Sequence, residues 1–450
     1  MNRLGIALAA SLSVLAAACG GGSASVDVKT PQGATGPKPA VSQVAQDKFN
    51  QALDAFNAND KASSWSDANC ADVARLFEAA TAEAQGGRFP EATYDAGLAW
   101  QRCGNDQQAR AHFEKALADD PKFHYAKAQI ALYDYKANGN EDQAISALQQ
   151  AVLDAQYQDV PALVDLALFQ MQRDSGASGQ NCRDDLECAK QNLQRALAID
   201  DAYMPAFNQL ALYYFQLAKK RATVGGSKRE HGHGGIATNS SMAKRADVQQ
   251  LELAALVCSQ ALKKNPNYAP IHNTAGLIQN ELGQVNGAVG EFATAAKLDP
   301  KFFEAQMNYA AVNLSFRGFA QAQDAYEKAL VMRPNDYDAH LGLALALRGQ
   351  INDSNYDSQV ARVQAELDAA KKIDGNRPDA YFNEGILTQE YKAKSGGAKP
   401  QTIAALEQAK TIFETFDQKA GGKAEYAGAV TKAKERMRDI DDTLQFLKSP

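Results

Sequence analysis

Six cysteines and six histidines are the residues with which this chain of 450 could carry out thiol, metal or acid–base chemistry. Cys19 follows Leu15, Ala16, Ala17 and Ala18 and precedes three glycines, a setting in which a thiol can be acylated and the preceding segment removed. Cys182 and Cys188 share one polar stretch, and Cys70 and Cys103 fall near neighbouring helix ends. Two disulfides with Cys258 as a buried thiol outside them is one reading, and five small core residues is the other. His231 and His233 have the spacing to share a metal, but no cysteine or carboxylate lies at a matching distance in the sequence. A cationic surface loop, with Lys228, Arg229 and several glycines, accounts for the same segment. His112, Phe113 and Glu114 have the spacing of a deaminase His-x-Glu, yet no Pro-Cys-x-x-Cys follows. There is no glycine-rich phosphate loop after a strand, no nucleophile elbow and no paired His-Glu zinc motif. The expectation is a non-catalytic chain with no cofactor and no metal.

The elements that hold these residues begin with a leader. One arginine, Arg3, precedes a short apolar or small run from Leu4 to Ala18, too short to span a bilayer permanently. Residues 1–18 therefore read as a signal peptide, and Leu15 to Cys19 resembles a bacterial lipobox, with Ala16 where the pattern prefers leucine. The alternative is an ordinary cut at an Ala-x-Ala site with Cys19 incidental. Gly20 offers no inner-membrane retention signal, so the expected location is the outer membrane, facing the periplasm and held by lipid alone. Residues 19–42 are rich in Gly, Ser, Ala, Pro and Thr and read as a tether. The formal net charge is −6 without a basic stripe, which argues against nucleic acid as a partner.

The rest of the chain repeats itself. Ala-Leu-x-x-x-Pro appears at Ala116, Leu117 and Pro121, at Ala261, Leu262 and Pro266, and at Ala329, Leu330 and Pro334, with Ala295 and Pro300 between the last two. Pro266, Pro300 and Pro334 are spaced by the period of the tetratricopeptide repeat. Residues 90–123, 269–302 and 303–336 match that repeat closely, through Gly97, Trp100, Ala109, Phe113 and Ala116 in the first and their counterparts in the others. Looser copies occupy 124–157, 160–203, 204–268, 337–377 and 378–415, several with insertions. Residues 43–89 read as an N-terminal capping hairpin and 423–447 as a C-terminal capping helix. A small residue lets two helices approach, a bulky one fills the gap to the next pair, and proline ends the second helix. The resemblance to tetratricopeptide-repeat proteins implies an all-α, right-handed α-solenoid of about eight helical hairpins with insertions.

Such a stack presents its first helices on a concave side. Two residues before the small crossing residue stands a polar group in all but one repeat, at Asp95, Gln129, Asp165, Gln209, Thr274, Asn308 and Asn383, with Gly342 the exception. Leu98, Leu132, Leu168, Leu212 and Leu277 form a parallel apolar row. The polar row either holds a bound partner or ties neighbouring repeats together, and the leucines are expected to serve packing between helices. Lipidation site, polar tether and hairpin array with cysteine-bearing insertions together resemble the tetratricopeptide-repeat lipoproteins of the adventurous gliding-motility apparatus of myxobacteria. That resemblance implies a scaffold for other envelope proteins. The alternatives are a pilotin-like outer-membrane assembly factor, or an enzyme or metal-binding protein built on the His231/His233 loop.

Overall fold

The computed structural model describes residues 41–62, 64–176, 182–226, 239–394 and 398–449, with side chains in 221–247 left aside. Among the described residues there are nineteen α-helices and no strand. The structure is an all-α solenoid of helical hairpins, divided into two compact units between Thr274 and Ala275.

The first unit runs α1 (Gln43–Ala62), α2 (Asp67–Ala82), α3 (Pro90–Arg102), α4 (Asp106–Asp119), α5 (His124–Asn138), α6 (Glu141–Asp154), α7 (Val160–Arg173), α8 (Asp185–Ile199), α9 (Met204–Gly226) and α10 (Asn239–Lys264), and ends within α11 (Ala269–Glu281). The second continues through α12 (Val285–Leu298), α13 (Phe303–Ser315), α14 (Phe319–Met332), α15 (Tyr337–Arg348), α16 (Tyr356–Ile373), α17 (Asp379–Glu390), α18 (Lys399–Ala420) and α19 (Ala427–Lys448). Helices pack on their neighbours in sequence from α1 to α10 in the first unit and from α12 to α19 in the second, and first helices of successive hairpins also touch, α7 on α9, α13 on α15 and α15 on α17. Contacts confined to near neighbours are the physical signature of a stack in which each hairpin covers the apolar face of the next.

Local chemistry sets the ends of the hairpins. Asp120, Asp200, Asn265, Asp299 and Asp374 each follow a second helix and accept the backbone N–H two residues on, at 2.9 Å in every case. These Asx turns, with Pro121, Pro266 and Pro300 at their second position, stop the helix and aim the chain into the next pair. Asn105, Asn140, Asp159, Asp184 and Asp336 cap the starts of helices by accepting the third following N–H.

Close helix crossings depend on missing side chains. A Cβ on Gly97 would lie 2.6 Å from Phe113, and one on Gly276 or Gly385 would lie 2.6 Å from Phe292 or Phe413. Those rings fill the crossing: Phe113 and Phe413 are fully buried and Phe292 nearly so. Gly342 makes room for Tyr326 of the preceding hairpin instead. Charged pairs join hairpins at the rim, such as Arg102 with Asp60 at 2.9 Å in the first unit and Arg377 with Asp338 at 2.7 Å in the second. Each of these contributes roughly 0–1 kcal/mol, so burial and not charge pairing holds the stack.

Candidate partner groove

The polar positions of the first helices have different fates. Gln129 on α5 accepts a hydrogen bond from Gln101 Nε2 of the preceding hairpin at 3.1 Å. Thr274, 2 % exposed on α11, donates to Asn208 Oδ1 of α9 at 2.7 Å. In the second unit, Asn383 accepts from Arg348 of the preceding first helix at 3.1 Å and donates to its own helix at Asp379 O. These three tie one hairpin to the next. Asn308 lies half-buried on α13.

Asp95 and Asp165 behave otherwise. Both are half-buried on α3 and α7, and among the described residues neither carboxylate receives a hydrogen bond or an ion pair. Gln209 on α9 is 7 % exposed, and its Oε1 meets no hydrogen-bond donor. A recessed carboxylate without a partner is costly to ionise. Burial, reinforced by Glu91, pushes the Asp95 carboxyl up to about 8, and burial, reinforced by Asp159, pushes Asp165 up to about 7.

Aromatic rings from two successive first helices meet in the same part of the first unit. Tyr94 on α3 and Tyr125 on α5 have ring centroids 5.9 Å apart, and Phe123 lies 5.6 and 5.7 Å from them. Burial raises the Tyr94 phenol well above its ordinary value, and Asp159, Asp95, Tyr125 and Asp165 add to that shift. Burial also pushes Tyr125 up to about 12, with Asp159 and Asp95 adding to it. Tyr203, at the start of α9, is raised by burial and then by Asp165. Asp159, 1 % exposed, spends its carboxylate internally: Oδ2 pairs with His124 Nδ1 at 2.8 Å and Oδ1 accepts the Ala162 N–H at 3.0 Å. Tyr94, Tyr125 and Asp159 were not singled out by the sequence pattern. Their signal is positional, since Tyr94 precedes Asp95 and Tyr125 opens the next first helix.

The remaining candidate residues are placed as follows. The structure joins Cys70 to Cys103, Cα atoms 6.4 Å apart, linking the first turn of α2 to the end of α3. It joins Cys182 to Cys188, Cα atoms 5.3 Å apart, at the start of α8. Cys258 is buried on α10. His112 bridges α4 to α2 by pairing with Glu78 at 2.9 Å, and Phe113 is core, so this segment lacks the arrangement of a deaminase site. Leu98 packs against the clusters on both sides of α3, and Leu277 against the α12 cluster, which makes these two leucines packing residues. Cys19, His231 and His233 lie outside the described residues. Among the described residues no group of three His, Cys, Asp or Glu side chains is placed to hold a metal ion. No described helix is long and apolar enough to cross a membrane.

No protein-family profile matches the sequence, and no curated protein matches it. Solved structures that it is similar to include a thermophilic TPR protein of Thermus thermophilus, with 25 % identity over 50 % of this chain and 99 % of that one, at a TM-score of 0.39. A tetratricopeptide repeat protein of Parabacteroides merdae shows 14 % identity over 71 % of this chain and 99 % of its own, at a TM-score of 0.37. The Pseudomonas aeruginosa protein pilF shows 18 % identity over 61 % and 97 %, also at 0.37. Superpositions this loose carry no argument, and the fold stands on the hairpins described above.

Proposed function

We propose that this chain is a non-catalytic scaffold, held by acyl groups on Cys19 at the periplasmic face of a bacterial outer membrane, that grips other proteins of an envelope complex along its first helices. The observation that carries the reading is the divided polar row: Gln129, Thr274 and Asn383 are used to join hairpins, whereas Asp95, Asp165 and Gln209 Oε1 are left without partners on the same helical positions. Polar groups that cost free energy in the isolated chain are accounted for when a bound partner satisfies them. The anchor is supported by the sequence Leu15 to Cys19 and by the polar stretch after it, which gives the array reach from a membrane surface. The layout shared with gliding-motility lipoproteins supports a force-transmitting envelope machine as the setting.

The test is a crosslinking pull-down from cells, comparing the natural chain with Cys19→Ser. The scaffold reading expects the natural chain in the membrane fraction with a defined set of partners, and the variant released into the soluble fraction with that set depleted. A variant that stays membrane-bound with all its partners overturns the anchor.

A further inference from the structure

The hairpin of α9 and α10 outgrows the others of the first unit. α9 runs 23 residues and α10 runs 26, where α3 to α8 run 13 to 15. Lys220 marks the place where α9 leaves its neighbour: Nζ pairs with Asp174, the residue that ends α7, at 2.7 Å. One turn earlier Gln216 Nε2 donates to Met171 O at 3.0 Å. The rest of α9, to Gly226, carries its backbone about 9 Å past that point, and α10 packs beside it.

This extension gathers positive charge in a chain whose formal net charge is −6. Lys219, Lys220 and Arg221 lie in the last turns of α9 and Lys244 and Arg245 in the first turns of α10, with Asp247 the one acid in 219–226 and 239–247. Beyond it, α10 is apolar on two sides. Leu251, Ala254, Val257, Cys258 and Ala261 are buried. Val248, Leu253 and Leu256 stand opposite them, 43, 40 and 54 % exposed. At about 3.6 residues per turn these three fall within an arc of about 140° around the helix axis, with Leu256 in the middle. Exposed Glu252 and Lys263 share that side. The earlier second helices differ: α6 and α8 expose one large apolar residue each, Leu153 and Ile199, both near the helix end.

Basic residues alone fit any polyanion. Exposed leucines next to them fit a surface that is anionic outside and apolar just below, which describes a bilayer containing anionic phospholipid. We propose that the α9–α10 arm lies on such a bilayer, its basic turns among the headgroups and Val248, Leu253 and Leu256 against the acyl boundary. The proposal rests on the acyl-anchor reading, which puts the chain at a membrane, and adds a second contact that sets which side of the first unit faces it.

The experiment uses residues 20–450, which keep every described residue and carry no acyl group. Vesicles of phosphatidylglycerol and phosphatidylcholine in equal parts are the probe, and phosphatidylcholine alone is the neutral control. Flotation at low ionic strength reads the bound fraction. The chain is expected to float with the anionic vesicles and not with the neutral ones. Lys244→Gln combined with Arg245→Gln is expected to weaken binding by about 25-fold, about fivefold for each basic residue near an anionic surface. Leu256→Ser is expected to weaken it by about fivefold, and because Leu256 is exposed its replacement leaves the buried seam in place. Lys328→Gln, exposed in the second unit, is expected to change nothing. An environment-sensitive dye on Leu256→Cys is expected to shift to the blue with anionic vesicles, and one on Leu153→Cys is not.

No flotation with anionic vesicles, or equal flotation with neutral ones, overturns the proposal. Binding lost in the basic variant but unchanged in Leu256→Ser, with no dye shift, also overturns it and assigns the arm to an acidic protein or a nucleic acid. The vesicle assay contains no acyl group, so it fails separately from the anchor. Release of the Cys19→Ser chain from salt-washed membranes, without vesicle binding, ends this inference and keeps the anchor; retention of that chain on washed membranes ends the anchor.

Discussion

Replacing Gly97 with alanine puts a methyl carbon at the crossing of α3 and α4. That carbon would lie 2.6 Å from Phe113 Cε1, 2.9 Å from Cδ1 and 3.1 Å from Ala109 O. Non-bonded carbons rest ~3.5–4.0 Å apart, so the ring or the helix must retreat by about 1 Å. Phe113 has no space to retreat into: it is fully buried, with Tyr94 5.2 Å away on one side and Tyr133 6.0 Å away on the other. Overpacking of this kind costs about 1–3 kcal/mol, against which alanine recovers about 1 kcal/mol of helix propensity. The expected outcome is a net loss of about 0–2 kcal/mol. Gly290 supplies the control, since a Cβ there meets nothing within 4 Å, and Gly290→Ala should gain about 0.5–1 kcal/mol. Denaturant unfolding followed by far-ultraviolet circular dichroism reads both. A double-mutant cycle with Phe113→Leu should show coupling of about 1 kcal/mol, the smaller side chain relieving the crowding. If Gly97→Ala stabilises as much as Gly290→Ala, or shows no coupling to Phe113, the close crossing is not what the glycine provides.

Removal of the Cys70–Cys103 bridge, which closes a span of 33 residues, should cost about 3–4 kcal/mol on the chain-entropy account, and removal of Cys182–Cys188, with a separation of 6, about 2 kcal/mol. Unfolding of the two Cys→Ser pairs checks the order, and a larger loss for the shorter loop would refute it. The Asp95 carboxyl titrates near 8 in the folded chain and near its ordinary 3.8 when unfolded, so the folded state binds the extra proton between those values. Its contribution to stability therefore falls as pH rises through that window, by at most about 1.4 kcal/mol per unit. Asp95→Asn should flatten this slope and leave the variant the more stable at about pH 8; a natural chain that is equally stable across the window refutes the shift.

The hairpins were legible because the signal is local and periodic. Gly97 with Phe113 and Gly276 with Phe292 each lie within one hairpin, so counting along the chain finds both partners. Gly342 interrupts the polar row for a reason that counting within a hairpin does not reveal, since its partner Tyr326 belongs to the preceding pair. The polar row was legible as positions but not as roles. Gln129 and Asp165 occupy equivalent places, and only one is used internally, because Gln101 reaches it from 28 residues earlier. Thr274 is satisfied by Asn208 across a separation of 66 residues that includes the long insertion. Such contacts depend on which side chains from separate hairpins meet, and periodicity carries no information about that. The pairing of Tyr94 with Tyr125 was hidden for a related reason: an aromatic residue on a first helix reads as packing within its own hairpin until the ring it meets in the next hairpin is known.

Site-specific photocrosslinking in living cells tests the central claim most directly. A photoreactive amino acid is placed in turn at Leu132 on the first helix α5 and at Gln107 and Lys115 on the exposed side of α4. Partner adducts are expected from Leu132 and not from the two α4 positions. Adducts from α4 with none from Leu132 would contradict the claim that the first helices form the gripping surface.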